Sequence, residues 1–114
     1  MHHPPLPVGS AWLDAVGLTN AGEVLAVLDR HPSVRLVLSG HVHQAFEGRH
    51  GDVRVFATPS TCAQFTPGTE RCVMDLKPPG YRWLELQPDG ALRTEVKWLE
   101  DGRPTQRPPD DRFA

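Results

Sequence analysis

Four stretches of the chain carry a readable pattern of apolar and polar positions. The first is Val24 to Leu28, where Val24, Leu25, Val27 and Leu28 form an apolar stripe at helical spacing. Asn20, or Thr19 beside it, offers an N-cap, and with Asn20 as cap Glu23 falls at the capping-box position. Pro32 disfavours helical geometry in the residue before it, so this helix is expected to end near His31. The second stretch, Val34 to Leu38, is almost continuously apolar and predicts a central strand buried on both faces. In the third, Ala45–Gly48 and Val53–Ala57 flank Arg49-His50-Gly51-Asp52 and predict a hairpin. The fourth alternates over Tyr81–Leu86 and again over Leu92–Trp98, with a Pro88-Asp89-Gly90 turn between, which is a second hairpin.

The remainder reads as connection. Three prolines, Pro4, Pro5 and Pro7, keep residues 2–17 out of a long helix, although Trp12, Leu13 and Val16 allow one helical turn. Trp12 is expected in the core, and Asp14 is either a helix cap or a contact to another part of the protein. Thr58–Phe65 is expected as a loop and residues 66–80 as irregular. Residues 101–114 are polar and proline-rich and are expected to lack fixed structure. The prediction is one α/β domain over residues 1–100, with one main helix, a central buried strand and two β-hairpins.

Composition narrows the classes of function. The chain has 114 residues, enough for one domain with a modest core. A formal net charge of −2 gives no basic footprint for nucleic acid or an anionic membrane. No apolar run approaches the roughly 20 residues of a membrane span, and the His- and Pro-rich start is not a signal peptide. Two cysteines, Cys62 and Cys72, are too few for a disulfide framework. A reducing cytoplasm is the expected location.

Candidate chemistry lies in the histidines. Ser39-Gly40-His41-Val42-His43-Gln44 follows the second apolar stretch directly. If that stretch is a strand, Gly40 lets the chain turn at its C-terminal edge, where open α/β sheets bind ligands. In an extended segment His41 and His43 face the same side, toward one centre or two adjacent ones. Imidazole is a common ligand for zinc, iron and manganese. An H-x-H pair alone is weak evidence, but Met1-His2-His3-Pro4-Pro5 adds two imidazoles on a backbone stiffened by proline. His31, near a helix end, and His50, at a hairpin tip, are expected to be solvated.

Together these pieces resemble a family. His2-His3-Pro4-Pro5-Leu6-Pro7, a spacer of helix-plus-strand length, and then Gly40-His41-Val42-His43 resemble the C-terminal half of the calcineurin-like metallophosphoesterases. The closer likeness is to their class III branch, the cyclic-nucleotide phosphodiesterases of the CpdA/Icc type. It continues through Ser10–Asp14, Leu18–Ala21, Thr58–Phe65, Pro79–Arg82, Asp89-Gly90 and Thr94–Val96, to about Leu99. Gly-His-x-His is shared across the superfamily, whereas Thr-Pro-Ser-Thr-Cys-x-Gln-Phe is far more specific to this branch.

The resemblance implies a β-sandwich flanked by helices and hydrolysis of a phosphodiester, such as cyclic AMP, by a hydroxide activated on two divalent metals (manganese, iron or zinc). It implies His2 and His41 as ligands of one metal and His43 as a ligand of the other. His3 is the catalytic candidate, turned toward substrate. Thr61 and Cys62 lie on the substrate side or support the ligands from behind, the alternative for Cys62 being a small buried thiol. The family's D-x-H, G-D and G-N-H-[DE] motifs lie on its N-terminal half, and this chain is expected to start where the second half starts. The chain is therefore expected to be a C-terminal portion, inactive alone, with at most partial metal occupancy. Its expected partners are a phosphodiester or cyclic-nucleotide substrate, and either a missing N-terminal half or a second copy. The alternative is a non-catalytic metal-binding or self-associating module.

Overall fold

The computed structural model describes residues 1–99; the tail expected over 101–114 lies outside the described residues. The elements are α1 (Ala11–Ala15), α2 (Ala21–Asp29), β1 (Leu36–Ser39), β2 (Phe46–His50), β3 (Val53–Ala57), β4 (Gln64–Phe65), β5 (Met74–Asp75), β6 (Gly80–Leu86) and β7 (Leu92–Trp98). They form a small mixed α/β unit. β1, β3 and β2 make a mixed sheet in that order, while β4–β5 and β6–β7 are two-stranded ribbons.

The strand buried on both faces is β3 rather than the Val34–Leu38 stretch. β3 pairs in parallel with β1 and antiparallel with β2. Val53, Val55 and Ala57 are buried on one face and Phe56 on the other. Among the described residues β1 has a strand neighbour on one side only, and Leu38 is 39% exposed. The backbone beside its other edge belongs to the chain's opening residues. The Met1 amino group donates to the Leu38 carbonyl at 3.0 Å, and the Gly40 N–H donates to the His2 carbonyl at 3.0 Å. Those two bonds lay His2 and His3 alongside the end of β1.

The helix forms as expected, with Val24, Leu25 and Leu28 half-buried, but the fourth residue of the stripe, Val27, is exposed. Asn20 sits at the N-cap position, but its side chain makes no capping bond, so the capping box does not form. The helical turn near Trp12 forms as α1, and its Leu13 packs with Val42 and Ala57 in the core. Asp14 is exposed on α1 and is not its N-cap. Its carboxylate accepts the N–H groups of Val8 at 2.8 Å and Gly9 at 3.1 Å, closing the turn ahead of α1.

The β6–β7 hairpin forms where the alternation predicts, but its inner face carries an arginine. Arg82 reaches down with its side chain 2% exposed, while Tyr81 and Trp83 face outward at 46% and 42% exposed. Its guanidinium lies 4.7 Å from the centroid of the Phe56 ring and donates to the Ala57 carbonyl at 3.2 Å and to Thr94 Oγ1 at 3.1 Å. Arg54 approaches the same ring, also at 4.7 Å. Burial lowers the Arg82 pKa, and Glu47 opposes that fall. The stretch expected as a loop over Thr58–Phe65 ends in β4, and the region expected to be irregular over 66–80 contains its partner β5, with Gln64 paired to Asp75 and Phe65 to Met74.

Candidate metal centre

Gly40, His41 and Val42 form a tight turn immediately after β1. The Val42 N–H donates to the Gly40 carbonyl at 2.8 Å, and His41 between them has φ 67°. This three-residue turn with positive φ is a rare and strained form. His43 is also left-handed, at φ 45°. Positive φ is unusual for a residue with a side chain, and such strain clusters at functional sites. The segment is thus not extended, as the two-residue spacing suggested, and the two rings face different surroundings.

His41 turns toward the start of the chain. Its Nδ1 lies 3.2 Å from Nε2 of His2, and its ring centroid is 3.9 Å from that of His3. The His2 and His3 rings meet edge to face at 5.1 Å. One nitrogen from each of His2, His3 and His41 falls within 4.8 Å of the others. Two imidazole nitrogens on one tetrahedral zinc, each at about 2.0–2.1 Å, lie about 3.3 Å apart. The His2–His41 separation therefore suits a shared metal, and this triad could hold one. Three imidazoles without a carboxylate suit zinc or copper better than manganese.

The pKa of His41 is lowered from its ordinary 6.5, first by burial and then by the positive charge that His3, His2 and His43 carry when protonated. The backbone of Val16 lies close enough to oppose the fall. Nε2 of His41 is buried without a hydrogen-bond partner. A neutral ring with a free lone pair is the ligand form of histidine.

His43 stands apart from this triad. Its Nδ1 is 2.9 Å from the Ala63 carbonyl, its ring stacks on Phe65 at 4.5 Å and 12°, and its own carbonyl accepts the Phe65 N–H at 2.9 Å. Trp12 meets the other side of this arrangement, edge to face with Phe65 at 4.9 Å, so it belongs to both the core and the site's surroundings. Thr61 and Cys62 are exposed on the loop before β4, and the buried-thiol alternative for Cys62 does not hold. His31 is exposed as expected. His50 instead pairs with Asp29 at 2.7 Å and joins the end of α2 to the β2–β3 hairpin.

Sequence reasoning missed Gln64, whose side chain is buried and fully hydrogen-bonded. Its presence in the Thr58–Phe65 stretch was visible, its burial was not. The letters Asp29-Arg30-His31 and Gly51-Asp52 also spell two of the family's acidic motifs. None of these residues joins the triad, and Asp29 is engaged by His50.

The fold and these rings define a small α/β unit with a histidine-built candidate metal site at a sheet edge. No protein-family model matches the chain. Curated relatives do. It is 48% identical over 103 residues to the 3',5'-cyclic adenosine monophosphate phosphodiesterase CpdA of Escherichia coli (strain K12), covering 90% of this chain and 38% of that protein. It is 44% identical over 100 residues to CpdA of Pseudomonas aeruginosa, covering 88% and 37%. A 3',5'-cyclic-nucleotide phosphodiesterase of Nostoc sp. is 43% identical over 97 residues, covering 85% and 36%. The chain is a homologue of one part of the CpdA-type cyclic-nucleotide phosphodiesterases, and it spans little more than a third of the length of these relatives.

Proposed function

We propose that this chain supplies the histidine ligands of a two-metal phosphodiesterase centre acting on a 3',5'-cyclic nucleotide, cyclic AMP being the substrate named for its relatives. The observation that carries this reading is the 3.2 Å approach of His2 Nε2 to His41 Nδ1, which suits two ligands of one metal. His2 and His41 bind the first metal. His43, its Nδ1 committed to Ala63, offers Nε2 to the second. His3, in contact with the His41 ring, meets the substrate. Thr61 and Cys62 flank the substrate from the exposed loop. A bound metal pair supplies hydroxide at neutral pH and neutralises charge on the phosphoryl oxygens. The triad itself contains no carboxylate, so the acidic ligands of a complete centre come from outside it.

The test is hydrolysis of bis(p-nitrophenyl) phosphate and of cyclic AMP with added manganese, iron(II) or zinc. The His41→Ala/His43→Ala double variant is the contamination control. Hydrolysis present in the unmutated chain and absent in the variant supports the reading for this chain alone. A chain that binds zinc but hydrolyses neither substrate above the variant supports a second reading, a non-catalytic metal-binding and self-associating module. The outer edge of β1, paired with no other strand among the described residues and bonded to the opening residues only at Leu38 and Gly40, favours that second reading, because an edge strand invites pairing with another chain.

A further inference from the structure

Gln64 is the most completely engaged polar side chain near the histidines. It is 1% exposed. Its Oε1 accepts the Ser60 N–H at 2.9 Å, and its Nε2 donates to the carbonyls of Ser60 at 2.7 Å and Pro78 at 3.1 Å. One acceptor and two donors at this reach are what a glutamine amide provides. A glutamate here would set a buried charge against two carbonyl oxygens. The clamp closes residues 60–64 into a tight loop and ties that loop to the start of β6, where the Gly80 N–H also donates to the Ser60 carbonyl at 2.9 Å.

The neighbours of Gln64 on both sides hold His43. Ala63 presents its carbonyl to Nδ1, and Phe65 presents its ring to the imidazole face and its N–H to the His43 carbonyl. A carbonyl can only accept, so at neutral ring charge Nδ1 carries the proton and Nε2 carries the lone pair. Histidines that bind metals typically donate their other N–H to such a carbonyl, which fixes tautomer and ring orientation.

We infer that Gln64 is a positioning residue: by clamping the 60–64 loop it aims the Ala63 carbonyl at His43 and thereby presents His43 Nε2 as a ligand. The inference rests on the reading of His43 as a metal ligand, and its test separates the two. The measurement is a long-range proton–nitrogen correlation spectrum of the full nitrogen-15-labelled chain, with chelator present and at a pH above the ordinary imidazole range. The Nδ1–H tautomer is expected at His43, together with a slowly exchanging Ser60 amide. An Nε2–H tautomer, or a rapidly exchanging Ser60 amide, overturns the inference with no variant needed.

Gln64→Glu and the neutral Gln64→Met are both expected to shift His43 toward the Nε2–H form and to weaken zinc binding at His43 about 10- to 100-fold. Phe65→Leu removes the stacked ring but keeps the clamp, so the Nδ1–H form should persist. Loss of that form in Phe65→Leu together with its retention in a folded Gln64 variant overturns the role of Gln64. Zinc added to the unmutated chain should move the His43 Nε2 resonance. The Nδ1–H tautomer with an unmoved resonance overturns the ligand reading, whereas the wrong tautomer overturns the positioning itself.

Discussion

At the scale of single residues, His41 does most to decide what the site does. In the proposed centre its nitrogen facing His2 is the ligand atom, and its lowered pKa favours the neutral ring, the form that can ligate. Loss of an orienting partner alone costs about 10- to 100-fold in metal affinity. His41→Ala, which removes the ligand itself, should therefore weaken zinc binding by about 100-fold or more in calorimetric titration. His31→Ala, at an exposed position outside the triad, should leave zinc binding unchanged.

The same shift makes the metal-free chain sensitive to acid. Unfolded, the His41 ring titrates at its ordinary 6.5, and folded it titrates lower. Between those values the unfolded chain holds a proton that the folded chain refuses, so stability rises with pH. The contribution is complete above 6.5 and is lost as pH falls through the folded value. Urea midpoints measured with chelator should drop on acidification through this window, and His41→Gln should flatten the drop. An equal slope in the variant would assign the acid sensitivity to other groups.

At the scale of elements, the β6–β7 hairpin is held by a close backbone approach as well as by Arg82. A Cβ on Gly80 would lie 2.7 Å from Trp98 Cε3 and 3.0 Å from Pro59 Cγ. Gly80→Ala should therefore destabilise the chain by about 1–3 kcal/mol through overpacking, read as a lower urea midpoint. Arg82→Met keeps the length of the side chain but leaves the Ala57 carbonyl without its charged donor, and should cost about 1–3 kcal/mol. Periodicity located this hairpin but not its inward face. Alternation separates two faces, and here the inward one carries a guanidinium stacked on Phe56 while two aromatics face out. The same limit applies to β1. A run of apolar residues cannot say whether a second strand covers it, and the pairing gave that place to β3. The β4–β5 ribbon has two residues per strand, too few to show any period.

At the scale of the whole molecule, the candidate metal site joins parts that are distant in sequence. His2 and His3 come from the opening segment, which is held to β1 by two backbone bonds, and His41 comes from the turn that ends β1. The motifs made these rings candidates, because H-H-P and G-H-V-H occur together in one chain. They did not announce the strained turn at His41 that separates its ring from His43, since backbone strain leaves no mark in the letters. A metal on the triad would crosslink the opening segment to the sheet in the folded state and have no such site in the unfolded chain. Zinc at about 100 times its dissociation constant should then add about 2.7 kcal/mol of stability. For a chain of this size that raises the melting temperature by several degrees or more, an effect read by differential scanning fluorimetry and reversed by chelator. The His2→Ala/His3→Ala variant should lose most of this rise while keeping its metal-free melting temperature, because it removes the His2 ligand and the one other triad ring that could replace it, and leaves the backbone bonds at Leu38 and Gly40 in place. A rise of the same size in that variant would move the bound metal away from the triad and toward His43.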